Sequence, residues 1–279
     1  MPELPEVETI RGQLEERLVG RVIGRVAVDD ALLVAPAAVT AFARGLRGRT
    51  VTAVRRRGKY LLVDLDAGPP LALHLRMTGR LLWFPGRPDP DVTHVRARFD
   101  LGGGGTLVFA DMRRFGRAWR LPEGLPDEEA YWAGRVGVEP LGDGFTAAAL
   151  GGLLAGRRGP VKPLLLNQAV VAGIGNIYAD EALFQARVHP LRPAGSLDRD
   201  EVRRLHRAIR DRLRAAVAAG GSSIDRYRDA NGDRGGMQDL LRVHRREGRP
   251  CVRCGATVVK TRVGGRGTYL CPGCQAPPA

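Results

Sequence analysis

Lysine is nearly missing from this chain. Of its 44 basic residues only Lys59, Lys162 and Lys260 are lysine. So strong a preference for arginine points to codon pressure. A lysine that survives it marks a place where a guanidinium fails, because only an ammonium is compact and able to give up a proton. Chance survival accounts for one of the three, so Lys59 and Lys162 are flagged by rarity alone. Cysteine is absent from the first 250 residues, which confines thiolate chemistry to the tail. No run approaches the ~20 apolar residues of a membrane span. The N-terminus also lacks the basic-then-apolar order of a signal peptide.

What is present is a large excess of positive charge. Forty-four Lys and Arg against 30 Asp and Glu leave a formal +14. That balance favours a polyanionic partner, with nucleic acid first among the candidates. At 279 residues, with 44 % hydrophobic content, two soluble globular domains are expected rather than one core.

The opening Met1-Pro2-Glu3-Leu4-Pro5-Glu6 carries the most chemistry. Removal of the initiator methionine, usual before a small residue, leaves a secondary amine at Pro2. An α-amino group titrates near ~8 and a lysine near ~10.4, so a lysine needs ~3 kcal/mol more tuning to be equally neutral at pH 7. A terminal proline is thus a ready nucleophile for an acetal carbon. Being secondary, it forms an iminium that is cationic without a further proton. The competing reading is an ordinary helix start, with Glu3 and Glu6 as first-turn acids favoured by the helix dipole.

The four cysteines form Cys251-x2-Cys254 and Cys271-x2-Cys274 with 16 residues between. This is the spacing of a four-thiolate zinc site, and one structural Zn2+ is expected on all four. From Leu241 onward eight Lys and Arg face a single acid, Glu247, which makes this module a concentrated positive patch.

Between the two ends the periodicity changes once. Val7, Ile10, Leu14 and Leu18 follow helical spacing from Pro5. Residues 22–28, 51–55, 60–65, 71–75, 95–101 and 106–109 then read as short strands between turn clusters, which predicts a sandwich or barrel. After Pro140 helices are predicted over 145–155, 162–168, 176–187 and 198–219. The last carries an apolar stripe of Val202, Leu205, Ile209, Leu213 and Val217. Residues 220–237 are polar and glycine-rich, long enough for a mobile loop.

Four segments now converge in order: Pro2 to Thr9; Asp111-Met112-Arg113-Arg114-Phe115-Gly116; Lys162 to Gln168, running into Gly173-Ile174-Gly175-Asn176-Ile177-Tyr178-Ala179-Asp180-Glu181; and the zinc unit with Gly264-Gly265-Arg266-Gly267-Thr268. Together, and over essentially the whole length, they resemble the bacterial formamidopyrimidine-DNA glycosylases. The resemblance implies an α+β multidomain fold. An N-terminal catalytic β-sandwich would span residues 1–133 and a linker 134–150. A helix-two-turn-helix DNA-binding domain with a lesion-capping loop would span 151–240, and a zinc finger 241–279.

It also implies a bifunctional enzyme that excises oxidised purines and cleaves the strand by β,δ-elimination. Pro2 would attack C1′ of a flipped nucleotide, Glu3 would protonate the ring oxygen, and Glu6 would serve as an auxiliary carboxylate. Lys59 matches the family's second catalytic lysine, and Arg266 the arginine that grips phosphate and assists the second elimination. Lys162 and Asn176 would hold phosphates, Asn176 doubling as a helix N-cap. Met77, Arg113 and Phe115 match the trio that fills the void left by the flipped nucleotide; without the family, Met77 and Phe115 read as core. His94 and Arg114 are expected on the DNA backbone.

The expected partner is double-stranded DNA with an oxidised base or abasic site, met by a monomer in the bacterial cytoplasm at the nucleoid, with no membrane involved. Two departures stand out. Many relatives have Val-Tyr-Gly-Arg where this chain has Val243-His244-Arg245-Arg246, and they often have an aromatic where it has Met237. The rival readings are an endonuclease VIII-type enzyme for oxidised pyrimidines, which usually has glycine in place of Leu4, and a non-catalytic zinc-ribbon DNA-binding protein.

Overall fold

The computed structural model describes residues 1–278. They divide into two compact units, one of residues 1–131 with 219–236, the other of residues 132–218 with 237 onward.

The first unit begins with α1 (Leu4–Leu18), whose apolar residues Val7, Ile10, Leu14 and Leu18 are all buried. Pro5 falls in its first turn, where an absent N–H costs nothing. There follow β1 (Ile23–Val28), α2 (Val39–Leu46), β2 (Val51–Arg57), β3 (Tyr60–Leu65), β4 (Leu71–His74), β5 (Gly79–Phe84), β6 (Val95–Leu101), β7 (Thr106–Asp111), β8 (Arg117–Arg120) and α3 (Glu128–Trp132). The strands make two four-stranded antiparallel sheets, ordered β1-β6-β7-β5 and β2-β3-β4-β8. Val54, Leu61, Val63 and Leu73 of one sheet share a buried cluster with Leu81, Phe99 and Phe109 of the other, and Ile10 and Leu14 of α1 join it. This is the sandwich the strand pattern predicts. Each fully buried side chain of this size contributes roughly 1.5–3 kcal/mol.

Four elements escape the pattern, and each has a physical reason. Leu81-Leu82-Trp83-Phe84 of β5 does not alternate because both its faces are covered: Leu82 packs with Val108 and Ala110 in a second cluster. The strand β8 is four residues long with only Ala118 buried. The helices α2 and α3 are one to two turns long, too short for a periodic signal.

The second unit contains α4 (Ala147–Leu154), α5 (Val161–Leu166), α6 (Asn176–Ala186), α7 (Arg199–Ala218), β9 (Val259–Val263) and β10 (Arg266–Leu270). Thr146 caps α4 by accepting the Ala149 N–H at 3.0 Å. The predicted stripe of α7 is buried at Val202, Leu205, Ile209 and Leu213. Residues 219–236, expected with the helical domain, pack instead as part of the first unit. Their polar groups find partners there on α1 and β5. Among the described residues no helix is long and apolar enough to cross a membrane.

Candidate active site and nucleic-acid interface

In the first unit the start of α1 is built around carboxylates. Pro2 and Glu3 are buried just ahead of the helix. The Glu3 N–H donates to Glu6 Oε2 at 2.8 Å, and the two residues form a capping box that orients both acids. Glu6, 1 % exposed, also accepts the Ser222 N–H on Oε1 at 2.7 Å. Gly221 makes that approach possible: at φ +80 it takes a left-handed turn, and a Cβ there would lie 2.9 Å from Glu6 Cγ. Tyr227 donates its hydroxyl to the Glu6 carbonyl at 3.3 Å. Burial, with the Glu6 and Asp229 carboxylates nearby, pushes the Tyr227 phenol well above its usual range, so it remains a donor.

Lys59 is 5 % exposed in the two-residue turn between β2 and β3. Glu8 of α1 fixes that turn: its Oε2 meets Arg56 Nε at 2.7 Å, and Arg56 Nη1 donates to the Gly58 carbonyl at 3.2 Å. One acid on α1 thereby sets the hairpin that carries Lys59. Near Lys59 lies His74, pushed down to about 3 by burial, then by the Arg76 and Lys59 charges. Its Nδ1 accepts the Arg76 N–H at 3.0 Å, so the proton sits on Nε2 and the ring is neutral.

Met77, Arg113 and Phe115 are brought together by two loops of the sandwich, β4–β5 and β7–β8. Arg113 Nη1 lies 3.3 Å from Met77 Sδ, and its guanidinium stacks 4.7 Å from the Phe115 ring centre. Met77 is 46 % and Phe115 47 % exposed, so the core reading of these residues is wrong. Asp111, 1 % exposed, organises the trio: it accepts the Thr78 hydroxyl, the Arg113 N–H at 3.2 Å and the Gly116 N–H at 2.7 Å. Non-glycine residues take positive φ at Arg76 and Arg114 in these same loops and at His94 just before β6. Such conformations persist only where surrounding bonds impose them, and they concentrate at working sites. His94 is exposed, and its carbonyl accepts the Asp111 N–H at 2.9 Å. Arg114 forks onto Asp30 at 2.7 and 2.9 Å, which holds the Asp30 carboxyl below its usual range.

In the second unit Gln168 braces two successive turns between α5 and α6. Its amide donates to the carbonyls of Leu166 and Ile174, and its oxygen accepts the Gly173 N–H. Asn176 is the first residue inside α6, with Gly175 as the cap, so the capping expected of Asn176 is corrected. Its Nδ2 donates instead to the Gly267 carbonyl at 2.8 Å. Lys162 lies beneath the surface, fully buried, with Asp180 Oδ1 at 2.6 Å, Thr268 Oγ1 at 2.7 Å and the Gly267 carbonyl at 3.2 Å. It ties α5 and α6 to β10. The exposed Arg266 begins β10 just after the Gly264-Gly265 turn, where φ of +56 and +75 demands glycine.

Cys251, Cys254, Cys271 and Cys274 place their sulfurs within 4.8 Å of one another. The closest pairs are 3.4, 3.5 and 3.9 Å apart. A tetrahedral zinc with ~2.3 Å Zn–S bonds sets sulfurs ~3.8 Å apart, so the four thiolates fit one ion. Of the two departures, His244 is buried and Nδ1 meets Asp180 Oδ2 at 2.8 Å, while Arg245 holds φ +59, a conformation that favours glycine. Met237 is fully buried, a packing position. Residue patterns alone assign no role to Asp111, Asp180, Glu181, Gln13 or Tyr227. The first three stand inside the motifs Asp111 to Gly116 and Gly173 to Glu181, which is the signal the sequence offers. Glu181 accepts the N–H groups of Arg242, Val243 and His244 at 2.9–3.0 Å and so fixes the approach to the zinc unit.

Comparison with known proteins accords with this arrangement. Residues 1–118 match the formamidopyrimidine-DNA glycosylase N-terminal domain, 136–228 its H2TH domain, and 248–277 a zinc finger found in FPG and IleRS. The formamidopyrimidine-DNA glycosylase of Roseiflexus sp. (strain RS-1) is 49 % identical over 99 % of this chain and 100 % of its own length. The MutM (Fpg) protein of Thermus thermophilus superposes with a TM-score of 0.86 at 43 % identity, covering all of both chains. A Lactococcus lactis FPG mutant, solved with Fapy-dG containing DNA, gives 0.90 at 35 % identity over 99 % of this chain and 100 % of that one. With all three domain families matched in order and relatives aligned end to end, the chain belongs to the formamidopyrimidine-DNA glycosylase family.

Proposed function

We propose that this chain is a bifunctional DNA glycosylase and abasic-site lyase of base excision repair, acting on duplex DNA with an oxidised purine. The observation that carries the reading is the buried Pro2 at the start of α1, beside the paired acids Glu3 and Glu6. Solved relatives hold Fapy-dG, carbocyclic 8-oxo-G and abasic-site DNA, which supports 8-oxoguanine and formamidopyrimidines as substrates. Leu4, where the pyrimidine-specific sister enzymes usually have glycine, favours the same choice.

With Met1 removed, the Pro2 nitrogen attacks C1′ of a nucleotide flipped from the stack, at a cost of a few kcal/mol. The C1′–N bond breaks and the base departs. Glu3 gives a proton to the ring oxygen, the C1′–O bond opens, and a cationic iminium remains on Pro2. Glu6, held by two N–H donors, handles water or a proton beside it. Loss of the C2′ proton then expels the 3′ phosphate, and a second elimination expels the 5′ phosphate; Lys59 moves protons and Arg266 steadies the departing phosphate. Asn176 and the N–H groups at the start of α6 suit a backbone phosphate. Met77, Arg113 and Phe115 fill the vacated stack, Arg113 facing the orphaned base. His94 and Arg114 serve the DNA backbone, Arg114 on release from Asp30.

Residues 1–131 with 219–236 form the catalytic domain in this reading, 151–218 the DNA-binding helices and the tail from 241 the zinc finger. Zinc on Cys251, Cys254, Cys271 and Cys274 orders the tail and takes no part in the chemistry. A DNA substrate places the protein at the bacterial nucleoid.

Borohydride reduces an iminium and leaves a hydrolytic intermediate untouched. The mature protein should therefore be trapped on a duplex containing one 8-oxoguanine. Acetylating the terminus should abolish the adduct. Trapping that survives a blocked terminus moves the nucleophile to a lysine and sinks the mechanism.

A further inference from the structure

Gln13 stands two helical turns beyond Glu6 on α1, and seven residues return a side chain to nearly the same face. Both residues hold the segment 219–236. Glu6 takes the Ser222 N–H at one end. Gln13 takes the other end with both its polar atoms: Nε2 donates to Asp229 Oδ2 at 2.7 Å, and Oε1 accepts the Ala230 N–H at 2.8 Å. The Ala230 carbonyl accepts the Trp83 N–H of β5 at 2.8 Å, and Ala230 is fully buried. Asp229 Oδ1 accepts the N–H groups of Asn231 and Asp233, each at 2.9 Å. The tip of the segment is thus a saturated turn bolted to the helix that follows Pro2, with residues 223–228 spanning the two fixings.

We infer that Gln13 is a positioning residue for lesion recognition: it sets the register of the 223–228 span over the nucleophile, so that the span reads the flipped base. The inference rests on the proposed glycosylase reading, with this loop facing the base. An abasic site has no base to read, so its cleavage needs the helix but not the register of the loop.

The geometry supplies a swap that separates positioning from mere folding. Gln13→Glu keeps the acceptor for Ala230 but sets a carboxylate against Asp229. Adding Asp229→Asn restores a donor, since Asn Nδ2 can serve the new carboxylate while Oδ1 keeps its two N–H partners. Single-turnover excision of 8-oxoguanine opposite cytosine should fall about tenfold or more in Gln13→Glu, the scale expected when a half-buried polar group loses its partner and meets a like charge. Cleavage of an abasic duplex should stay within about twofold, and the double variant should recover most of the excision rate. Equal losses on both substrates, unchanged excision, or no recovery in the double variant would each overturn the positioning role.

A third protein, lacking residues 224–226, tests the underlying reading separately. If that deletion spares excision, the loop does not read the base and the inference falls with that reading. If it cripples excision while Gln13→Glu does not, the loop reading stands and only the anchor is lost.

Discussion

Lys162 Nζ and Asp180 Oδ1 lie 2.6 Å apart with neither side chain exposed to solvent. Asp180 also receives His244 Nδ1 at 2.8 Å and the Tyr269 N–H at 3.3 Å on its second oxygen. One carboxylate thus joins α5, α6, the segment before the zinc unit and β10. A buried pair of this kind specifies an arrangement more than it stabilises one, because desolvation offsets most of the attraction.

Breaking the pair from one side should therefore be costly. Asp180→Leu leaves a buried ammonium and should lower the unfolding free energy by about 3–5 kcal/mol. Lys162→Met combined with Asp180→Leu removes both charges and should cost clearly less than the sum of the single changes. Urea unfolding of the four proteins measures the cycle, and simple additivity would mean that the pair is not coupled.

The exposed trio makes the opposite prediction. A Phe→Ala change in a core costs ~3–5 kcal/mol, whereas surface changes stay within about 0.5 kcal/mol. Phe115→Ala and Met77→Ala should leave the melting temperature nearly unchanged. Excision of 8-oxoguanine should nevertheless fall, together with the fluorescence rise of a 2-aminopurine placed beside the lesion. Large destabilisation would return these residues to the core.

That contrast also marks what the sequence could carry. The helical repeat of α1, the stripe of α7 and the two cysteine pairs are periodic or spaced signals, and each element lies where its pattern put it. Lys162 was flagged by rarity, but rarity cannot say that an ammonium is buried. Asp111 and Glu181 do their work through backbone N–H groups, which leave no trace in residue type. The docking of residues 219–236 on α1 depends on Gln13 meeting Asp229, 216 positions later. No local window contains that pairing.

Zinc and DNA affinity should be linked through the turn that presents Arg266. One zinc per chain should bind, and replacing Cys254 by serine should unfold the tail, because thiolate ligation is the main source of order in so small a module. Binding should weaken with salt at a slope of about −0.9 per phosphate neutralised, and Arg266→Ala should make the slope shallower by roughly one. Titrations at several salt concentrations on undamaged duplex give both slopes. An unchanged slope removes Arg266 from phosphate contact.

His74 gives a signed pH dependence. Its folded value of about 3 lies below the unfolded 6.5, because the ring is buried and faces the Arg76 and Lys59 charges. Between those values the unfolded chain binds a proton that the folded chain refuses. Stability from this group is thus complete above pH 6.5 and declines as pH falls, by up to about 1.4 kcal/mol per unit. His74→Gln keeps an acceptor for the Arg76 N–H but does not titrate. Between pH 6.5 and 4.5 the variant should lose about 2–3 kcal/mol less than the parent in urea unfolding. Trp119 is a local reporter: its ring meets Tyr60 at 5.9 Å, and Tyr60 meets His74 at 4.6 Å. Parallel losses in parent and variant would mean that His74 accepts its proton inside the fold, adding a positive charge beside Lys59 where the proposed lyase step needs a lysine free to exchange protons.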